Sequence, residues 1–295
     1  MCLAVVVVSY ETTTSVLALI DGLREQSRQM TTEQMPLELS ITVVDNSVDD
    51  LGLPGRIASL PQPIPNVVIR CLEPMGNIGY GRGNNRGLAE AAARDRPDFF
   101  WVLNPDVSLR PDALNGLVLN LSRRDPRHPW FAGTVTYNAG HHSCGLIAFD
   151  PLTMHRRDSC VAAQVLYPAG HSIVMSDGFW RQFGGFDPAY FLFFEEIDLA
   201  CRALAAGVVP DSIAGAAVEH QGGAGTGSAL RFAQRPSTTH YNAARSALLF
   251  YKRHFPNLVL VPVALKLAHA LFLAVRARPH KALYTLAGVW SGIRT

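Results

Sequence analysis

A single carboxylate follows the apolar run Phe99-Phe100-Trp101-Val102-Leu103, reached through Asn104 and Pro105 at Asp106. In an open α/β sheet ligands bind at the carboxyl ends of strands, so a strand here delivers Asp106 to that edge. A carboxylate there can hold a divalent metal shared with a substrate diphosphate, the usual way Mg²⁺ is bound. A strand running into a turn has the same composition, because Pro and Asp are ordinary turn residues. Asp45 closes a second such run in Val43-Val44-Asp45-Asn46-Ser47. It can accept hydrogen bonds from a base or a ribose hydroxyl, or close an Asx turn.

Three carboxylates in four residues, Glu195-Glu196-Ile197-Asp198, follow the aromatic run Tyr190 to Phe194. Repulsion and partial burial raise at least one carboxyl pKa in such a cluster, which suits a general base. On a helix Asp198 reaches Arg202 one turn later, leaving Glu195 or Glu196 for chemistry; an acidic helix N-terminus stabilised by the macrodipole is the plainer alternative. The Gly- and Asn-dense segment Gly76 to Gly87 opens a helix and can approach a phosphate closely. Its glycines follow G-x-G-x-G spacing after the third strand, which is not a dinucleotide fingerprint. His220 precedes the glycine-rich stretch Gln221 to Ser228, a loop suited to closing over a substrate, and is a candidate metal or phosphate ligand.

The elements that must position these groups alternate. Leu3–Val8, Leu39–Val44, Val67–Leu72 and Phe99–Leu103 read as strands, the first buried on both faces. Helical spacing marks 13–28, 83–94 and 111–121, and strands alternating with helices imply parallel βαβ units. After about Trp130 the pattern breaks into short apolar pieces, with helices expected around 176–183 and 195–206. The 295 residues carry a net charge of +2, which argues against a basic nucleic-acid-binding face. Five scattered cysteines without a C-x-x-C pair read as reduced cytosolic thiols. No signal peptide is evident, and a cytoplasmic protein is expected.

The ordered set of motifs resembles glycosyltransferase family 2, the inverting GT-A enzymes, and among them bacterial rhamnosyltransferase-type members. It comprises Val7-Val8-Ser9-Tyr10, Val44-Asp45-Asn46-Ser47, Gly76-Asn77-Ile78-Gly79-Tyr80 with Asn85-Arg86-Gly87, Leu103-Asn104-Pro105-Asp106, Gly184-Gly185-Phe186-Asp187, Phe193 to Leu199 with Arg202, His220, and Tyr241 with Arg245. The resemblance implies a Rossmann-like, mostly parallel central sheet flanked by helices, with residues 1–255 as catalytic domain and 256–295 as a helical appendage. By resemblance Ser9, Tyr10, Glu11 and Asp45 hold the donor nucleoside, and Asn77, Gly79, Tyr80 and Asn85 line the same pocket. Asn104 and Asp106 resemble a variant of the D-x-D motif, so Asp106 would bind Mg²⁺ or Mn²⁺, with His220 and Arg245 near the leaving diphosphate. Glu196 matches the presumed base, with Glu195 and Asp198 as its rivals. Three positions depart from the family pattern: Glu196 stands where Asp is commoner, the metal motif keeps one carboxylate, and Ser246 replaces a common Asn.

The implied reaction is a single in-line displacement on a nucleotide sugar, first dTDP-L-rhamnose and then UDP-hexose or UDP-galactofuranose. The acceptor would be a saccharide or lipid-linked glycan of the bacterial surface. An NAD-dependent or nucleotidyl-transferring enzyme lacks its glycine fingerprint here, and a non-catalytic sugar-nucleotide-binding module has no use for the acidic cluster. The stretch Leu258–Val275 is apolar but interrupted by Pro262, Lys266 and His269, so it reads as a poor membrane span. Its Leu258, Val259, Leu265, Leu267, Leu271, Phe272 and Val275, with Lys252, Arg253, Lys266, Arg276, Arg278 and Lys281, suit peripheral contact with an anionic membrane. Packing on the catalytic domain or a homodimer interface is the alternative.

Overall fold

The computed structural model describes residues 1–30, 36–48, 52–61, 64–138, 141–161, 165–220 and 236–295. Four parallel strands, β1 (Cys2–Ser9), β2 (Glu38–Asp45), β3 (Val67–Leu72) and β4 (Phe99–Leu103), lie in the order β3-β2-β1-β4. Helices α1 (Thr13–Gln29), α2 (Leu53–Ala58) and α3 (Tyr80–Arg94) make the crossovers. Side chains alternate across this sheet, as the period of two demands. Leu3, Val5 and Val7 enter one core with α1 and with α4 (Ala113–Leu121), which follows the short β5 (Val107–Leu109). Ala4 and Val6 enter the other core with α3 and with aromatic residues from the second half of the chain. Both faces are covered, which is why β1 and β4 read as continuous apolar runs.

The second half completes the sheet with mixed polarity. β6 (Phe131–Asn138), β11 (Ser172–Ser176) and β12 (Asp211–His220) extend it in the order β4-β11-β6-β12-β5, with β7 (His141–Ser143) paired to β6. β11 runs antiparallel to both β4 and β6. The expected mostly parallel sheet therefore holds for the first four strands, and the continuation is mixed. β8 (Leu146–Phe149), β9 (Arg156–Asp158) and β10 (Val165–Pro168) form a separate three-stranded sheet. These strands are short, some of them half-exposed, and the sequence carried no sustained alternation there. Helices α5 (Asp177–Phe183), α6 (Glu195–Ala205), α7 (Ser237–His254), α8 (Leu260–Val275) and α9 (Pro279–Arg294) follow.

Two expectations are corrected. Cys144 and Cys160 are disulfide-bonded with Cα atoms 6.0 Å apart, whereas Cys2, Cys71 and Cys201 are free. The antiparallel β8–β9 pairing brings the two thiols together, since Ser159 N donates to Leu146 O at its end. The apolar tail is also less interrupted than its sequence reads. Pro256–Val275 is the one helical stretch among the described residues long and apolar enough to cross a membrane, and little of it is buried. Pro262 and Lys266 do not break its outer face, because they share the helical spacing of the inward stripe Pro262, Ala270 and Leu273.

Candidate active site

Asp106 is buried three residues beyond the end of β4. His220, the last residue of β12, pairs with Val107 of β5, and this register brings its Nε2 to 3.4 Å from Asp106 Oδ1. The ring of His171 stacks on that of His220 at 4.1 Å and 13°. The Thr136 hydroxyl lies 3.1 Å from Thr134 O and 2.7 Å from His171 Nε2. Burial pushes the His171 pKa down to about 3, helped by His220 and opposed by Asp106. His171 is therefore a neutral ring beside His220 at physiological pH.

These residues fit a divalent cation. The buried Asn104 Oδ1 and His220 Nε2 have no hydrogen-bond partner among the described residues, and unsatisfied buried acceptors call for an explanation. One carboxylate, one amide oxygen and one imidazole nitrogen suit Mn²⁺ or Mg²⁺, with substrate oxygens completing the shell. Among the described residues no group of three or more His, Cys, Asp or Glu side chains is placed to hold a metal ion, so the protein's share of any shell is small.

The three carboxylates of α6 are sorted by their surroundings. Asp198 is buried and bonded to Arg202 Nε at 2.9 Å, His254 Nε2 at 2.8 Å and the Tyr190 hydroxyl at 3.3 Å. Burial alone would raise its pKa, but the His254 and Arg202 bonds outweigh it and hold the carboxyl below its ordinary value. It is a strut between α6 and α7. Glu195 is buried with Oε2 unpartnered, and burial followed by the Glu196 charge lifts its pKa well above the ordinary value. Glu196 is half-buried and faces Gly170, where a Cβ would lie 3.6 Å from its Oε1.

Two features that the sequence reading missed hold this end together. Phe193 and Phe194 both adopt positive φ, 69° and 71°, a conformation costing about 1–3 kcal/mol per non-glycine residue. Packing of Phe194 against Phe149 and Phe250, at 6.1 and 5.2 Å between ring centres, fixes it. The chain thus turns sharply before it presents Glu195 and Glu196. The turn Ala169-Gly170-His171 is the second feature. Gly170 O accepts from the Tyr80 hydroxyl at 2.6 Å and His171 O accepts from Asn104 N at 2.9 Å. Tyr80 lies among the carboxylates: burial, then Glu195 and Glu196, and at greater remove Asp106, all raise its pKa. One turn therefore touches the end of β4, His220 and Glu196. Its only sequence signal is Gly-His between two apolar runs.

The expected donor residues lie along the same sheet edge. Ser9 is paired with Asp45 across β1 and β2, and both are buried. Asp45 Oδ1 accepts from Ser47 N at 2.9 Å, the Asx turn weighed as its alternative role, and Ser47 Oγ accepts from Glu11 N at 3.0 Å. Tyr10 is half-buried and Glu11 exposed beside them. Asn77 Oδ1 accepts from Gly79 N. Gly79 has φ +91°, and a Cβ there would sit 2.5 Å from Phe191 O, so only glycine fits. Asn85 is spent on the fold, clamping both N and O of Phe186. Arg245 donates to Ala189 O at 2.8 Å, and Ser246 donates to Leu192 O. Both anchor the segment before α6, and among the described residues Arg245 has no ion pair with Asp106. The loop Gln221 to Ser228 lies outside the described residues.

No protein-family model matches the chain. Two curated N-acetylglucosaminyl-diphospho-decaprenol L-rhamnosyltransferases, from the CDC 1551/Oshkosh and ATCC 25618/H37Rv strains of Mycobacterium tuberculosis, are 28% identical over 216 residues, 64% of this chain and 68% of theirs. Among solved structures, S. aureus TarS superposes with a TM-score of 0.51 at 15% identity. The match covers 92% of this chain but 43% of TarS, so the chain spans less than half of that protein. The mannosyltransferase PcManGT of Pyrobaculum calidifontis, solved with GDP-Man and Mn²⁺, superposes with a TM-score of 0.50 at 15% identity, covering 99% of this chain and 86% of that one. Sequence relatives and fold neighbours agree: the chain has the GT-A fold and is similar in sequence to the curated rhamnosyltransferases.

Proposed function

We propose that the chain is an inverting glycosyltransferase that moves a sugar, first L-rhamnose from dTDP-L-rhamnose, onto a lipid-linked saccharide of the bacterial surface. The observation that carries this reading is the turn Ala169-Gly170-His171: Gly170 accepts from the Tyr80 hydroxyl and lies against Glu196, while the His171 ring stacks on His220 beside Asp106. A binding module would not need an acidic pair, one member buried and one half-buried, beside a separate ligand set. The rhamnose donor and lipid acceptor are supported by the curated relatives, whose activity they are.

In this reading Ser9, Tyr10 and Asp45 seat the nucleoside at the carboxyl ends of β1 and β2. Asp106 and His220, with the Asn104 amide oxygen, would hold a Mg²⁺ or Mn²⁺, whose contribution when bound is neutralisation of charge on the leaving diphosphate. Glu196 takes the proton of the acceptor hydroxyl as that oxygen attacks the anomeric carbon from the face opposite the diphosphate. Glu195, held toward its neutral form, spares the site a second full charge at the same place. Asp198 fixes α6 so that Glu196 keeps its reach.

The α8–α9 pair would lie on the membrane that carries such an acceptor. Leu260, Leu271 and Val275 on α8, with Leu283 and Trp290 on α9, are each more than half exposed. Arg276, Arg278 and Lys281 lie at the junction of the two helices. An apolar face with basic flanks and interfacial Tyr284 and Trp290 is the pattern of a helix lying in the headgroup layer. The protein is then cytoplasmic and peripheral. Purified protein given dTDP-L-rhamnose, UDP-glucose or UDP-galactofuranose with Mn²⁺ and a lipid-linked N-acetylglucosamine tests the reading. Release of dTDP from the first alone is expected, and no turnover of any donor would refute it.

A further inference from the structure

α8 is amphipathic in the reverse sense. Its outward residues are apolar, while Lys266 occupies the inward stripe between Pro262 and Ala270, where packing would ordinarily place an apolar side chain. Lys266 is an electrostatic neighbour of Arg156 of β9: burial, then the Arg156 charge, pushes its pKa down to about 8. The Arg156 guanidinium lies over the Phe194 ring at 4.7 Å, and Phe194 caps the helix that begins with Glu195 and Glu196. Arg156 is also an electrostatic neighbour of Glu195 and Tyr167. The Tyr167 hydroxyl is fully buried, has no hydrogen-bond partner among the described residues, and feels Glu196 as well.

Two cations thus stand near one another, Arg156 beside Glu195 at the start of α6 and Lys266 on the inward side of the apolar tail. Neither makes an ion pair among the described residues. Arg156 is exposed while Lys266 is largely withdrawn from solvent, so an anion seated between them would meet one solvent-facing and one sheltered positive charge. The metal-binding end at Asp106 and His220 is a different part of the site, with its own charge balance.

We propose that Arg156 and Lys266, with the Tyr167 hydroxyl behind them, form the subsite for the phosphate or diphosphate group of a lipid-borne acceptor. In a lipid-diphospho-sugar the attacking hydroxyl and the phosphate are both carried by one sugar ring, so the two groups bind within a sugar's width of each other. An acceptor with its hydroxyl at Glu196 and its lipid toward α8 and α9 sets its phosphate between the two. The inference rests on the glycosyltransferase reading for the role of Glu196, but the subsite itself binds without turnover.

The test is titration calorimetry of the full chain with farnesyl diphosphate, farnesol and inorganic pyrophosphate, all in EDTA so that metal-held diphosphate does not contribute. Farnesyl diphosphate is expected to bind, and Arg156→Gln and Lys266→Met should each weaken it about tenfold or more, as loss of a charge-assisted hydrogen bond does. Asp106→Ala should leave that affinity unchanged, and Arg156→Lys should recover part of it. Loss of binding in Asp106→Ala, or full retention in both Arg156→Gln and Lys266→Met, overturns the subsite. Equal affinity for pyrophosphate or for farnesol overturns the lipid-phosphate assignment. Failure of the donor-turnover assay with farnesyl diphosphate binding intact would refute the enzyme reading and leave the subsite standing.

Discussion

The rings of His171 and His220 stack at 4.1 Å, and the neutral His171 backs the imidazole that faces Asp106. Because burial and His220 hold the His171 pKa near 3, the folded state resists a proton that the unfolded chain accepts from about pH 6.5 downward. The stability from this residue is full above about pH 6.5 and drains away as pH falls toward the folded value. Urea denaturation at about pH 7 and about pH 5 should show a marked loss in the wild type. His171→Phe, which keeps a ring but cannot titrate, should show a smaller loss; equal losses would remove His171 from this balance.

Asp106 and His220 should act as a unit toward metal and donor. A nucleotide held through Mn²⁺ at about 100 times its Kd stabilises the fold by about 2.7 kcal/mol. The rise in melting temperature with dTDP and Mn²⁺ should disappear in Asp106→Ala, shrink in His220→Ala and vanish in the wild type under EDTA. An undiminished shift with EDTA present would place nucleotide binding on the protein alone and return Asp106 to a turn residue.

The neighbouring acids should separate cleanly on substitution. Glu196→Gln removes the proposed base and should cut transfer about 10²–10⁴-fold with the donor thermal shift intact. Glu195→Gln should act on stability instead. A carboxyl whose folded pKa is raised contributes full stability below its unfolded pKa, near 4.5, and loses it as pH rises through the folded value. The glutamine variant should therefore melt higher than wild type on the alkaline side and equal to it in acid. If Glu195→Gln abolishes transfer and Glu196→Gln does not, the base is Glu195.

Asp198→Asn should cost stability rather than chemistry alone. It leaves Arg202 and His254 facing an uncharged amide in a buried network, and breaking one partner of such a network typically costs about 3–5 kcal/mol. A drop in melting temperature with residual donor binding is expected. Wild-type stability together with lost transfer would give Asp198 a catalytic role.

Much of the candidate site's geometry was legible because its strand-end half is local. Asp45 and Asp106 each close or follow an apolar strand, and the edge of a parallel sheet is where such residues must go. The pairing of Asp198 with Arg202 follows from helix spacing alone. The other half was not legible, because it depends on contacts between distant segments. His220 meets Asp106 through the β12–β5 register, and Gly170 meets both Tyr80 and Glu196 through a turn between two short strands. Arg245 reads as a diphosphate ligand in sequence but is bonded to Ala189 O here. Lys266 reads as an interruption of an apolar stretch until the helix shows which way it points.

The outer face of α8 and α9 supplies the last prediction. α9 is held on α7 at two glycines: a Cβ at Gly288 would collide with Tyr241 O, and one at Gly292 with Leu248 Cβ. The pair is therefore a fixed platform whose exposed side is Leu271, Phe272, Leu286 and Trp290. Burial of that side in a headgroup layer contributes roughly 25 cal/mol per Å² of apolar surface, and each basic residue near anionic lipid adds about 1 kcal/mol. Full-length protein should float with phosphatidylglycerol vesicles, float less with neutral ones, and be partly released by high salt. Phe272→Glu with Leu286→Glu, on exposed positions where folding is not at stake, should keep the protein in the dense fraction. If wild type stays dense at low salt and elutes as a dimer that the same double variant dissociates, the face is covered by a second copy and not by lipid.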